Sequence, residues 1–92
     1  MAARKVKHII LGVHVTDRLK EAVEVQKLLT AYGRHIKTRL GLHEIKETSA
    51  GPNGLLLLEM VGGDKPAKEL SKKLNAIEGV EVKSFSFEHR EP

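Results

Sequence analysis

The chain has 92 residues, with 16 Lys and Arg against 12 Asp and Glu for a formal charge of +4. That length builds one domain, residues 1–92, around one modest core, and the small charge excess permits an anionic partner without demanding one. The absence of cysteine excludes disulfides, cysteine-ligated iron–sulfur clusters and thiol catalysis, leaving any cofactor unidentified.

The first strand is expected over residues 7–15, where Ile9, Ile10, Leu11, Val13 and Val15 crowd together. Residues 1–5 are expected to be loose. Thr16 or Asp17 can then cap a helix, because a side-chain oxygen there satisfies an orphan N–H. From Leu19 onward, Ala22, Val23, Val25, Leu28, Leu29 and Tyr32 recur at three- and four-residue spacing, which predicts an amphipathic helix stopped by a left-handed Gly33. Residues 34–45 predict a second strand, with Ile36, Thr38 and Leu40 on one face, His35, Lys37 and Arg39 on the other, and a bulge or bend at Gly41. Ser49-Ala50-Gly51-Pro52-Asn53-Gly54 reads as a loop by composition.

Leu55 to Val61 is almost continuously apolar and predicts a third strand. Asp64 and Pro66 open a second helix with a narrow stripe of Ala67, Leu70, Leu74 and Ile77, ended by Gly79. The fourth strand runs from Val80 to about Phe87, and residues 89–92 are expected to be loose.

The order β-α-β-β-α-β defines a ferredoxin-like sandwich in the α+β class. Strands covered more completely read as apolar runs, whereas edge strands alternate or carry charge. Strands one and three are apolar, and strands two and four carry Arg, Lys and Glu. The expected antiparallel order is therefore 4-1-3-2, with both helices on one face. The other face then offers His8, Ile10, Gly12 and His14 from strand one, and Leu55, Leu57, Glu59 and Val61 from strand three. Ile10, Leu55, Leu57 and Val61 are the expected subunit interface of a homo-oligomer, since a monomer seldom exposes so large an apolar surface. Phe85 and Phe87 join that face unless a bulge returns them to the core.

Gly12-Val13, Val15, Asp17-Arg18, Leu28-Leu29, Tyr32-Gly33, Ile36, Arg39-Leu40-Gly41-Leu42, Gly79-Val80 and Val82-Lys83 resemble the pattern of the small ACT-like iron-only hydrogenase system regulators. The resemblance spans residues 6–83 and is most specific from Tyr32 to Gly41. It implies an oligomeric ligand-sensing domain without catalysis, plausibly in transcriptional control, related in fold to amino-acid-binding ACT domains and to the C-terminal domain of nickel-responsive repressors. It also points to Asp17, Arg18 and Arg39 as the lining of a site for a small anionic ligand. Two departures stand out. The Asp-Arg-Pro-Gly turn of amino-acid-binding ACT domains is replaced by Asp17-Arg18-Leu19-Lys20, and the repressors' ribbon-helix-helix segment is missing.

Other readings rest on single side chains. His14, His35 and His43, with Glu44 or Glu59, are weak candidates for a metal site, since imidazole and carboxylate suit zinc, nickel or iron. His8 and His14 stand about 20 Å apart along a strand and cannot share one ion within a chain. A small enzyme of dimeric ferredoxin-like type requires an acid–base pair such as His14 and Glu59. RNA recognition on this fold needs aromatic rings on the two central strands, which carry none. The mixed charges of both helices predict no specific DNA binding by this chain alone.

Overall fold

The computed structural model describes residues 5–16, 18–43 and 54–91. Six elements follow one another: β1 (Lys5–Val15), α1 (Arg18–Ala31), β2 (Ile36–His43), β3 (Gly54–Met60), α2 (Asp64–Asn75) and β4 (Val80–Arg90), with a 3-10 turn over Gly33–His35. The strands form one sheet in the order β2-β3-β1-β4, all neighbours antiparallel. This is the expected ferredoxin-like topology, with the two apolar strands in the centre. No helix among the described residues is long and apolar enough to cross a membrane.

Alternation along β1 divides the molecule. Ile9, Leu11, Val13 and Val15 are buried beneath Val25, Leu29 and Tyr32 of α1 and its end, and Ala67, Leu70 and Leu74 of α2. Leu58 and Met60 complete the layer from β3, and Val80 and Val82 from β4. Each fully buried Leu contributes about 1.5–3 kcal/mol through removal of apolar surface from water. Val23, expected in the apolar stripe of α1, is instead exposed. Three residues separate it from Gln26 and four from Lys27, so it lies with them on the helix's outer side.

Polar contacts fix the junctions. The Thr16 hydroxyl and amide both donate to the Gly79 carbonyl at 3.0 Å, which ties the end of β1 to the turn before β4. Gly79 has φ 89°, the left-handed conformation that its place after α2 requires. Gly33 does not adopt it: the left-handed residues among those described are Gly62, Gly63 and Gly79. α1 passes instead through Tyr32 into the 3-10 turn, where the His35 amide donates to the Tyr32 carbonyl at 2.8 Å. The Val82 amide donates to the Asn75 side chain at 2.9 Å and thereby anchors β4 to α2.

Two further expectations change. The irregularity in β2 lies between Ile36 and Thr38, not at Gly41. Ile36 pairs with Met60 and packs against the core, whereas Thr38 pairs with Glu59 and Leu40 with Leu57 on the opposite face. The extra residue, Lys37, resets the alternation, so Ile36 is not on the face of Thr38 and Leu40. Secondly, the chain ends are longer strands than expected: Lys5 pairs with Arg90 and Val6 with His89 in an unbroken eleven-pair register. Residues 5–8 and 87–90 thus form a two-stranded ribbon that continues past Met60 of β3. The loop expected at 49–53, along with Glu44, Ile45 and Asp17, lies outside the described residues.

Candidate functional site

The face without helices collects the side chains expected there and several more. Ile10 and Leu57 are half-buried, while Leu55 and Val61 are exposed. The register adds Leu40 from β2 and, with no bulge in β4, Phe85 opposite Ile10 and Phe87 opposite His8. Leu40, Phe85 and Phe87 are 50%, 53% and 62% exposed. The two phenyl rings meet edge to face with centroids 5.8 Å apart, a favourable pairing of ring edge and π-face. Both sit on edge strand β4, whereas base-stacking sheets carry their rings on the central strands.

A polar chain crosses this apolar face at the ribbon end. The Thr38 hydroxyl donates to Glu59 Oε1 at 3.3 Å, and Glu59 Oε2 lies 3.2 Å from His8 Nδ1. His8 Nε2 lies 2.9 Å from His89 Nε2. These residues come from β2, β3, β1 and β4 in turn. The Glu59 carboxyl is held below its usual range, chiefly by the hydrogen bond with His8, with smaller help from Lys37 and Thr38 against partial desolvation. The acid–base pair considered from the sequence does not form: His14 pairs with Leu55, and Glu59 pairs with Ile10 four residues away along β1, about 13 Å at strand rise.

The weak metal set also separates. His14 is exposed at the Val15 end of β1. His35 is half-buried at the other end, where its backbone carbonyl accepts from Val61 N–H at 2.8 Å. His43 pairs with Gly54, one position from the Leu42–Leu55–His14 row. His14 and His35 therefore do not converge within one chain. Among the described residues, no group of three His, Cys, Asp or Glu side chains is placed to hold a metal ion.

Of the residues expected to line a ligand site, Arg18 opens α1 and Asp17 lies outside the described residues. Arg39 pairs with Leu58 on the helix side of the sheet, and its guanidinium donates to the Gln26 side chain at 2.9 Å. Lys37 acts electrostatically on Glu59, so Arg39 and Lys37 serve different surroundings and make no common cradle.

A second concave surface lies on the helix side, between the first half of α2 and the β1–β4 ribbon. It is a groove of about 350 Å³ with Lys7, Lys68, Ser71, Ser84 and Ser86 among its lining. That volume is in the range of small-molecule sites. Lys7 donates to Asp64 Oδ1 at 2.9 Å. This contact raises the lysine pKa and lowers that of the aspartate, in both cases first through the hydrogen bond and then through charge. Gly63, with φ 90°, leads into α2 without a side-chain cap.

No protein-family model matches the chain, and no curated protein matches it. Solved structures do. The uncharacterized protein TM1266 from Thermotoga maritima superposes with a TM-score of 0.73 at 27% identity, over 91% of this chain and 99% of that one. The apo form of CPII from Thiomonas intermedia K12, a nitrogen regulatory PII-like protein, gives 0.58 at 11% identity, over 99% and 100%. The same protein bound to ADP, AMP and bicarbonate gives 0.60 at 9% identity, over 97% and 94%. These similarities place the chain in the ferredoxin-like, ACT-like fold shared with PII-like proteins.

The polar chain through His8 and His89 was not visible in the sequence. The two residues are 81 positions apart, and His89 falls in a segment expected to be loose. The available signal was the charge and alternation of Glu88-His89-Arg90, which continue the pattern of β4, opposite Lys5-Val6-Lys7.

Proposed function

We propose that this protein is a non-catalytic regulatory module that senses a small anionic ligand and works as a homo-oligomer assembled through its open sheet face. The observation that carries the reading is that strand β1 separates two different binding surfaces. On its helix side is a groove bearing Lys68, three serines and the Lys7–Asp64 pair, in which Lys68 is the cation that Asp64 does not engage by a hydrogen bond. On its other side is an apolar face that none of the described elements covers. A ligand in the groove touches the strand whose opposite face forms the subunit contact, which gives ligand binding a short physical route to assembly. The bound molecules in CPII, ADP, AMP and bicarbonate, are anionic, and the resemblance to hydrogenase system regulators also supports a sensing role. A second copy suits the face because its far end carries both signs, Glu81 and Lys83, which pair within one chain at 3.7 Å and can exchange partners in a two-fold arrangement.

The finer expectation, transcriptional control of the hydrogenase-regulator type, runs in this reading through a protein partner. No helix presents a basic recognition surface free of acidic neighbours, and so the chain alone binds DNA only weakly and without sequence preference. Calorimetry with ADP, AMP, bicarbonate and amino acids tests the sensing role. Reversal of charge in Lys68→Glu is expected to weaken binding at least tenfold. Loss of binding in Arg39→Ala with Lys68→Glu unaffected would move the site to the surroundings of Arg39 and Gln26.

A further inference from the structure

We propose that His8 and His89 form a two-nitrogen half-site for a divalent transition-metal ion, with both rings bonding through Nε2. The argument begins with where the other nitrogens point. His8 Nδ1 faces Glu59 Oε2 at 3.2 Å, and His89 Nδ1 makes a long contact with the Arg90 carbonyl at 3.4 Å. An ionised carboxylate and a carbonyl only accept, so these contacts favour hydrogen on Nδ1 in each ring; the contact at His89 is the long one, and an Nε2–H tautomer there would instead make the Nε2 pair a hydrogen bond. With Nδ1–H in both neutral rings, the Nε2 atoms are bare lone pairs, and they face one another across 2.9 Å. Two lone pairs at that distance repel. A cation between them, either a metal ion or a proton shared by the rings, removes the conflict.

The spacing suits a metal ion. Metal–nitrogen bonds of about 2.1 Å at a right angle put the two nitrogens about 3.0 Å apart, and tetrahedral zinc asks for about 3.3 Å. The ring centroids are 5.0 Å apart and the planes 17° from parallel, a stacked arrangement, so the rings turn slightly to direct both Nε2 lone pairs at one ion. The nitrogen spacing thus fits a six-coordinate ion once the rings turn, and zinc needs a further opening of a few tenths of an ångström. Imidazole nitrogen is a suitable donor for nickel, zinc, copper and iron.

The surroundings match what imidazole ligands require. Histidines that bind metals donate their second N–H to a carboxylate or backbone carbonyl, which fixes the tautomer and orients the ring. Here Glu59 serves His8, the Arg90 carbonyl serves His89, and Thr38 in turn holds the other oxygen of Glu59. Both histidines stand on paired strands, with Val6 opposite His89 and Phe87 opposite His8, a stiffer support than a loop. With two protein ligands the ion keeps open positions for water, a small anion or a second copy of the chain. It is therefore exchangeable, unlike a closed four-ligand structural site. This inference does not depend on a ligand in the Lys68 groove.

The test uses the full chain without an affinity tag, stripped by chelator and titrated calorimetrically with nickel and with zinc. One ion is expected per chain, or per pair of chains where a second copy completes the shell. His89→Phe, an exposed position that leaves the fold intact, is expected to weaken binding at least tenfold. Glu59→Gln should weaken it about 10–100-fold, and His14→Ala should leave it unchanged. Nitrogen-15 spectra of the imidazoles should show Nδ1–H tautomers at His8 and His89 before metal and displaced Nε2 signals at those two residues after it. Absence of binding at millimolar metal, an unchanged affinity in His89→Phe, or displaced signals at His14, His35 or His43 instead would each overturn the assignment.

Discussion

The two faces of one sheet obey different rules, and neighbouring residues on the same strand show it. Leu58 is fully buried under the helices, whereas Leu57, one residue before it, points to the side with no covering layer. Leu11 and Val13 are 1% and 0% exposed, while Ile10 between β3 and β4 remains half-open. On the helix side, apolar side chains interdigitate with α1 and α2 and hold the monomer together. On the open side, equally apolar residues stay half-buried or exposed, with no described element over them. Hydrophobic character alone thus does not separate the core from the open face; the count of available helices does.

The largest expected effects follow from that contrast. Leu58→Ala should destabilise the fold by about 2–5 kcal/mol through lost burial and a residual cavity, read as a fall in thermal midpoint. Leu57→Glu should leave the far-ultraviolet spectrum native and dissociate the assembly, read by light scattering. Equal loss of folding in both variants would break the comparison, because it would make the open face part of the monomer's core.

A smaller effect belongs to the hinge between β3 and α2. Gly62 has φ +98°, and a Cβ there would come within 2.8 Å of the His35 ring. Gly62→Ala should cost about 1–2 kcal/mol from backbone strain and should displace His35, visible as a changed imidazole signal. It sharpens the comparison because it alters the fold without touching either sheet face.

The smallest expected effect is electrostatic. Asp64 is held below the ordinary carboxylate range by Lys7. The pair's contribution is therefore complete at neutral pH, above the unfolded aspartate value of about 3.9, and is lost as pH falls through the lower folded value. The pair is exposed, so the gain is slight. The difference in midpoint between the native chain and Lys7→Met should be small at pH 7 and vanish near pH 2. A difference that grew on acidification would contradict the pairing.

Much of this architecture was legible beforehand, and the exceptions have identifiable causes. Continuous apolar runs in β1 and β3 and charged, alternating β2 and β4 were enough to order the strands. The faces of Phe85 and Phe87 were open until the unbroken β1–β4 register excluded a bulge. The bulge in β2 was expected at Gly41 on the strength of glycine's permissiveness, yet it fell at Lys37, because Ile36 has to turn inward to meet Met60 while Leu40 meets Leu57. Gly33 was expected to be left-handed, but the following 3-10 turn takes up the change of direction instead. The histidine pair escaped notice because cross-strand proximity over 81 positions has no local signature. Lys5 and residues 89–92 were expected to be loose, whereas Lys5, His89 and Arg90 belong to the ribbon that brings His8 and His89 together.

In the proposed assembly a second copy covers the open sheet face. Sedimentation equilibrium of the native chain beside Leu57→Glu, at micromolar concentration, tests it most directly. The predicted result is a dimer or larger assembly for the native chain, a multiple of 10.2 kDa, and a folded monomer for the variant. A native chain that sediments as a monomer, or a Leu57→Glu variant that keeps the native mass, would contradict it.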